Sequence, residues 1–179
     1  MKDLWMAMIA FGLTLGVASA QTQETKGSEK AEAAEAAKNA PALAAALKDA
    51  TVSLEAGLRA SESEGKPISG KFEIEDGKLQ LSVYTAKGGQ FFEVIVDHKT
   101  GKITKAEPIT EADDLKDAKT QAKAMSQAKS SLADAVAKAV KANNGYRAVS
   151  VATEVEGGAA TADVGLLKGS SAKYVDEKL

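Results

Sequence analysis

The 179-residue chain contains no cysteine and only one histidine, His98. The missing cysteine excludes disulfides and lipid attachment through a thiol, so a small exported protein of this kind has to rely on its own core. Together the two shortages exclude the usual zinc sites, which take several ligands from Cys and His. They also leave nucleophilic catalysis without a thiol, and no serine-containing elbow takes its place. Basic and acidic residues number 23 and 25 and are interspersed, giving a net charge of −2. No basic stripe is available for nucleic acid. Beyond the N-terminus the apolar runs are far too short to cross a bilayer.

The first twenty residues form a separate segment. Lys2 supplies a short basic region, Leu4 to Val17 is apolar, and Ala18-Ser19-Ala20 is an A-x-A cleavage signature. This is the layout of a secretory signal peptide, with an apolar stretch short of the roughly 20 residues of a membrane span. An uncleaved anchor is the alternative. Cleavage after Ala20 removes Lys2 and Asp3 together, leaves the net charge unchanged, and predicts a periplasmic or secreted protein. Residues 21–40 are polar and rich in Ala, Glu and Lys, which predicts a flexible tether with no face to bury.

The three prolines mark the organisation that follows. Pro41 suits a first helical turn, after which Leu43, Leu47, Val52, Leu54 and Leu58 recur at mostly helical spacing. Ser61 to Pro67 breaks that helix. Phe72 and Ile74 then alternate with Glu73 and Glu75, and Leu79, Leu81 and Val83 alternate with Gln80, Ser82 and Tyr84. Between the two runs, Asp76-Gly77 is a type I′ hairpin signal. Gly88-Gly89 makes a second turn, Phe91 to Val96 a third strand, and Lys102 to Ala106 a fourth. Pro108 ends this meander. Thr110-Glu111-Ala112-Asp113 resembles a capping box, and helical spacing continues to the stop at Asn144-Gly145. A connector joined to a shorter docked helix is expected there. Six aromatic residues lie beyond the signal segment, and four of them (Phe72, Tyr84, Phe91, Phe92) sit in the meander, so the best-packed core is expected there.

The C-terminal part repeats this unit. At an offset of 81 positions Ile68 matches Val149, Ile74 matches Val155, Gly77 matches Gly158, Val83 matches Val164 and Lys87-Gly88 matches Lys168-Gly169. The "VDHK" of residues 96–99 is echoed by "VDEK" at 175–178 after a two-residue contraction, which sets Glu177 opposite His98. The second copy has Ala160 and Ala162 where the first has Leu79 and Leu81, and it stops before a fourth strand. The expected fold class is α+β with tandem modules, each one helix packed on a 3-4-stranded antiparallel sheet, joined by a helical connector. The divisions are 1–20 signal peptide, 21–40 tether, 41–107 first module, 108–123 connector and 124–179 second module.

Several residues invite a chemical reading. Asp97 and His98 are adjacent, and neighbouring strand residues point to opposite faces, so Asp97 is badly placed to orient the imidazole for acid-base work. The expected role of His98 is a solvent-facing turn residue before Gly101. Asp113, Asp114 and Asp117 could attract calcium, yet no EF-hand loop is present, and a solvated first helical turn explains them. Glu73, Glu75 and Glu93 form an acidic sheet face rather than carboxylates opposed across a cleft. If Phe92, Val94 and Val96 face the helix, then Tyr84, Phe91 and Ile95 face outward. These three are the candidate partner-binding residues, unless the face packs against the second copy or the long helix. The free edge of the second copy is another candidate, by strand addition. No catalytic residue, metal ligand or cofactor is expected.

The stretch from Ile68 to Thr104 resembles the PepSY family. The likeness rests on the preceding helix and on the ending Val94-Ile95-Val96-Asp97, then Thr100-Gly101-Lys102-Ile103, a V-x-V-D-x-x-T-G-x-I pattern. It covers Leu43 to Glu107, with a second, degraded match from Ala124 to Leu179 that lacks the T-G-x-I ending. The resemblance implies an extracytoplasmic α+β module. PepSY modules occur in propeptides of thermolysin-like metalloproteases, in spore-germination proteins and in small periplasmic proteins, and a peptidase-inhibitory role has been proposed for them. It brings no catalytic residues. The expected partner is a periplasmic peptidase or another envelope protein, and the alternative is a structural or envelope-stress protein whose modules pack only on each other.

Overall fold

The computed structural model describes residues 40–179. The expected signal peptide and almost all of the expected tether lie outside the described residues. The remainder is α+β, with a seven-stranded antiparallel sheet among the described residues. Its strands are β1 (Lys66–Glu75), β2 (Lys78–Lys87), β3 (Gln90–Val96), β4 (Ile103–Pro108), β5 (Arg147–Glu156), β6 (Ala159–Lys168) and β7 (Ser171–Lys178). Their order across the sheet is β4-β3-β2-β1-β5-β6-β7. The helices are α1 (residues 40–46), α2 (Leu54–Ser61), α3 (Ala112–Gln127) and α4 (Leu132–Ala142).

Local chemistry explains most of these elements. Asp76 and Gly77 take φ of 48° and 74°, the type I′ pair that lets β1 and β2 keep their right-handed twist. Alternation sets Phe72, Leu81, Val83, Val94 and Val96 on one face, and all five are buried. Helix α2 packs on that face, with Leu54 and Leu58 fully buried. Burial of each such side chain contributes about 1.5–3 kcal/mol. Gly57 lets α2 approach, because a Cβ there would lie 2.5 Å from Leu81 Cδ2. Helix α4 packs on β5, β6 and β7 and against α2, and buries Leu132 and Val136.

The two meanders form one continuous sheet. They join at β1 and β5, where Ser69, Gly70 and Lys71 oppose Ala152, Val151 and Ser150. Their internal registers coincide. Gly70 opposes Val83 and Val83 opposes Val94; 81 positions later Val151 opposes Val164 and Val164 opposes Val175. The ladder irregularity between Pro67 and Ser69 recurs between Ala148 and Ser150.

Four expectations need correcting. The helix read from Pro41 onward is broken. Helix α1 passes into a 3-10 turn, Leu47–Asp49, and α2 starts afresh at Leu54, where Ser53 accepts a hydrogen bond from the Ala56 N–H. The capping box at Thr110 is not made, because Glu111 occupies the cap and makes no side-chain cap bond. The connector and the shorter docked helix are both present, but their junction falls at residues 128–131, so α3 runs past the 123/124 division and α4 has its own cap, Ser131. The "VDEK" echo is not a turn. It lies within β7 without any contraction, so Val175 stands at the place of Val94 and Glu177 at that of Val96.

Candidate functional site

The β3–β4 connection is built by Asp97. Its Oδ1 accepts from the Lys99 N–H at 3.0 Å, the Thr100 N–H at 2.7 Å and the Thr100 hydroxyl at 2.9 Å. Its backbone N–H donates to the Lys102 carbonyl, and its carbonyl accepts from the Gly101 N–H, both at 2.8 Å. Gly101 has φ of 72°, which a β-carbon would strain. Thr100, with its backbone N–H first and its hydroxyl next, holds the Asp97 carboxyl below its ordinary range. Asp97, Thr100 and Gly101 thus each have a structural task in the turn.

His98 is half-buried, which corrects its expected solvent-facing placement. Its carbonyl accepts from the N–H groups of Thr51 and Val52, both at 3.0 Å, and the Thr51 hydroxyl donates to the Lys99 carbonyl at 2.5 Å. Its Nδ1 is buried without a hydrogen-bond partner, so the Asp97 carboxylate does not orient the ring. No side-chain hydrogen bond joins the adjacent Asp-His pair.

The segment docked on this turn is also held from the second meander. Arg147 Nη1 donates to the carbonyls of Leu47 (3.1 Å) and Ala50 (3.2 Å), and Nη2 to that of Val52 (2.6 Å). Its guanidinium lies 5.1 Å from the centre of the Phe72 ring. Sequence reading passes over Arg147, because its partners lie 95 to 100 positions upstream. Lys66 opens β1 as Arg147 opens β5, and it donates in turn to the Met125 carbonyl of α3 at 2.8 Å. Lys66 also lines a cavity of about 400 Å³, together with Leu58, Pro67, Met125, Leu132 and Ala133.

The other face of the first meander carries the candidate binding residues. Register sets Ile95 opposite Ser82, Tyr84 opposite Glu93 and Phe91 opposite Ala86, so all three share the face away from Leu81 and Val94. They differ in accessibility. Phe91 is only 8 % exposed and belongs to the core, which corrects its reading as part of an exposed patch. Tyr84 and Ile95 are half-buried. The polar groups between them are tied together. The Ser82 hydroxyl donates to Glu73 at 2.9 Å and accepts from Gln80 at 3.0 Å, and Lys71 pairs with Glu73 at 2.6 Å. The Tyr84 hydroxyl donates to Glu93 at 3.4 Å. Burial, followed by Glu93 and Glu73, pushes the Tyr84 phenol far up, and burial and Glu73 push up the Glu93 carboxyl.

Glu75, the third acidic residue on this face, opposes Lys78 at the hairpin end and is exposed. Asp113 and Asp114 lie in the first turn of α3, where burial and then Glu111 raise the Asp114 carboxyl. Ile74, Val155 and Tyr174 are the exposed large apolar residues among the described residues. Ile74 and Val155 hold corresponding places in the two meanders. None of the described helices is long and apolar enough to cross a membrane.

No protein family and no curated protein matches the chain. Among solved structures it is similar to a "putative lipoprotein" of Clostridium difficile 630, at 12% sequence identity over 72% of this chain and 95% of that one, with a TM-score of 0.38. A likeness that distant says nothing about function.

Proposed function

We propose that this is an exported, non-enzymatic PepSY-type binding and regulatory protein that restrains a peptidase in the periplasm. The observation that carries the reading is the β3–β4 turn. Each named residue of the V-x-V-D-x-x-T-G-x-I pattern has a task there: apolar strand positions, then an aspartate closing the loop, then a glycine at positive φ. The coincident registers support a duplicated unit, with β1 to β4 the fuller copy and β5 to β7 the shorter one. On this reading the contact surface is the outer face around Tyr84 and Ile95, which presents an aromatic and an aliphatic side chain among paired charges.

The test is inhibition of a thermolysin-like metalloprotease by the exported chain, comparing it with Ile95→Asp. Saturable inhibition that Ile95→Asp weakens, with an unchanged circular dichroism melt, supports the proposal. Plain degradation of the chain by the protease, without inhibition, refutes it. A second reading, a structural envelope protein whose halves pack only on each other, is favoured by one observation, the burial of Phe91. Slow amide exchange across residues 82–95 in the isolated chain, together with no response of any peptidase, would select it.

A further inference from the structure

Among the described residues, β7 is an outermost strand of the sheet. The Leu179 N–H donates to the Ala160 carbonyl at 3.1 Å, in the same register that sets Val175 opposite Val164. Backbone bonds in an antiparallel pair alternate. Lys173, Val175 and Glu177 therefore direct their backbone groups toward β6, while Ala172, Tyr174, Asp176 and Lys178 direct theirs away from the sheet. Proteins blunt such edges with proline, bulges and charged side chains. The opposite edge, β4, has two of these devices: Pro108, and a register shift against β3. Strand β7 contains no proline and its ladder is unbroken; its charged side chains are of both signs, so they can complement one another across a second strand.

We infer that β7 pairs antiparallel with β7 of a second copy of this chain, extending the sheet across a two-fold axis at Val175. Outward backbone groups must meet outward backbone groups, so the axis passes through a residue and not between two; at Lys173 it sets lysine against lysine and at Glu177 glutamate against glutamate, which leaves Tyr174, Val175 and Asp176. An axis at Asp176 sets aspartate against aspartate. An axis at Tyr174 sets Lys173 against Val175 and Ala172 against Asp176, pairing no opposite charges. The axis at Val175 places Lys173 opposite Glu177 on both sides, with Tyr174 opposite Asp176 and Ala172 opposite Lys178. Cross-strand opposite charges stabilise a pair and like charges oppose it. The strand is complementary to itself in that register.

The test is sedimentation equilibrium of the exported chain over a concentration series, with four variants. A monomer–dimer equilibrium is expected, with the dimer weakened about tenfold or more by Lys173→Glu and by Glu177→Lys, and restored in the double exchange. Because Lys173 also bonds Asn143 and Glu177 pairs with Lys138, Asp176→Pro provides a separate check. It removes an outward N–H that β6 does not use, and is expected to abolish the dimer while keeping the thermal melt. A wild-type chain that stays monomeric throughout overturns the inference and leaves the edge to some other strand. So does a dimer indifferent to Asp176→Pro, or a folded double exchange that fails to dimerise.

Discussion

Replacing Gly57 by alanine is expected to destabilise the protein, against the usual rule for helices. Alanine in place of glycine inside a helix ordinarily stabilises it by about 1 kcal/mol. Here the new methyl group would lie 2.5 Å from Leu81 Cδ2 and 3.2 Å from its Cγ. Leu81 is fully buried on β2, between β1 and β3, so moving it aside disturbs the packed face beneath α2. Overpacking of this kind costs roughly 1–3 kcal/mol, so after the helix gain the net effect is a loss of up to about 2 kcal/mol. For a domain of this size that lowers Tm by up to roughly 8 °C. Leu81→Val should relieve the clash, so the double variant Gly57→Ala/Leu81→Val should lose at least about 1 kcal/mol less than the sum of the single losses. The second half offers a natural comparison, with Ala162 at the register place of Leu81 and Ala135 at the α4 position matching Gly57, counted from the serine caps. Urea and thermal melts of the three variants decide the matter. A higher Tm for Gly57→Ala, or strictly additive losses, would refute the packing argument.

Further outcomes concern the bonds around the turn and the outer face. Arg147→Ala leaves three carbonyls without their charged donor and should cost about 2–4 kcal/mol in urea unfolding, and Arg147→Lys, lacking the fork, should recover only part of it. Asp97→Asn tests linkage. The folded-state carboxyl sits below its ordinary range, so its contribution is full above about pH 4 and fades as pH falls through the lowered value. The wild-type advantage in urea midpoint over Asp97→Asn should therefore be present at pH 6 and shrink in strong acid. An advantage that grew on acidification would contradict it. Glu93 has the opposite sign. Its carboxyl is raised by burial and Glu73, so its ionisation opposes folding above the raised value. Glu93→Gln should raise the urea midpoint at pH 7, with the difference closing toward pH 4. His98→Ala should leave both the melting temperature and any binding measured for the outer face close to wild type, since the residue anchors Thr51 and Val52 through its backbone carbonyl, which alanine retains.

The strands were legible because their causes are local. Alternation in Phe72 to Glu75 and Leu79 to Tyr84, with Asp-Gly between them, leaves one register in which the apolar set is buried. The repeat was legible for the same reason, since glycines and valines at a constant offset occupy constant ladder positions. What stayed hidden depends on contacts distant in sequence. The break between α1 and α2 is held by the His98 carbonyl and by Arg147, which helical spacing does not register. Phe91 was rightly assigned to the outer face, but alternation assigns a side and says nothing about what lies over it. The "VDEK" echo misled because four similar letters weigh little against a continuous ladder along β6. For the candidate site, sequence supplied the face of Tyr84 and Ile95 and the motif of the turn. The network joining Lys71, Glu73 and Ser82 appears only once β1 and β2 lie side by side.

The hold of Arg147 on residues 47–52 also sets an order of events in folding. The carbonyls of Leu47, Ala50 and Val52 are made early in synthesis, and their donor follows about a hundred residues later. Until β5 arrives, the first meander can pair its strands, but the junction between α1 and α2 has the His98 carbonyl to hold it and not yet Arg147. Forming these bonds closes a long loop and fixes both halves together. A chain stopped before Arg147 should keep a hairpin-rich sheet with a loose helical cap, which proteases would cut first between Leu47 and Ser53.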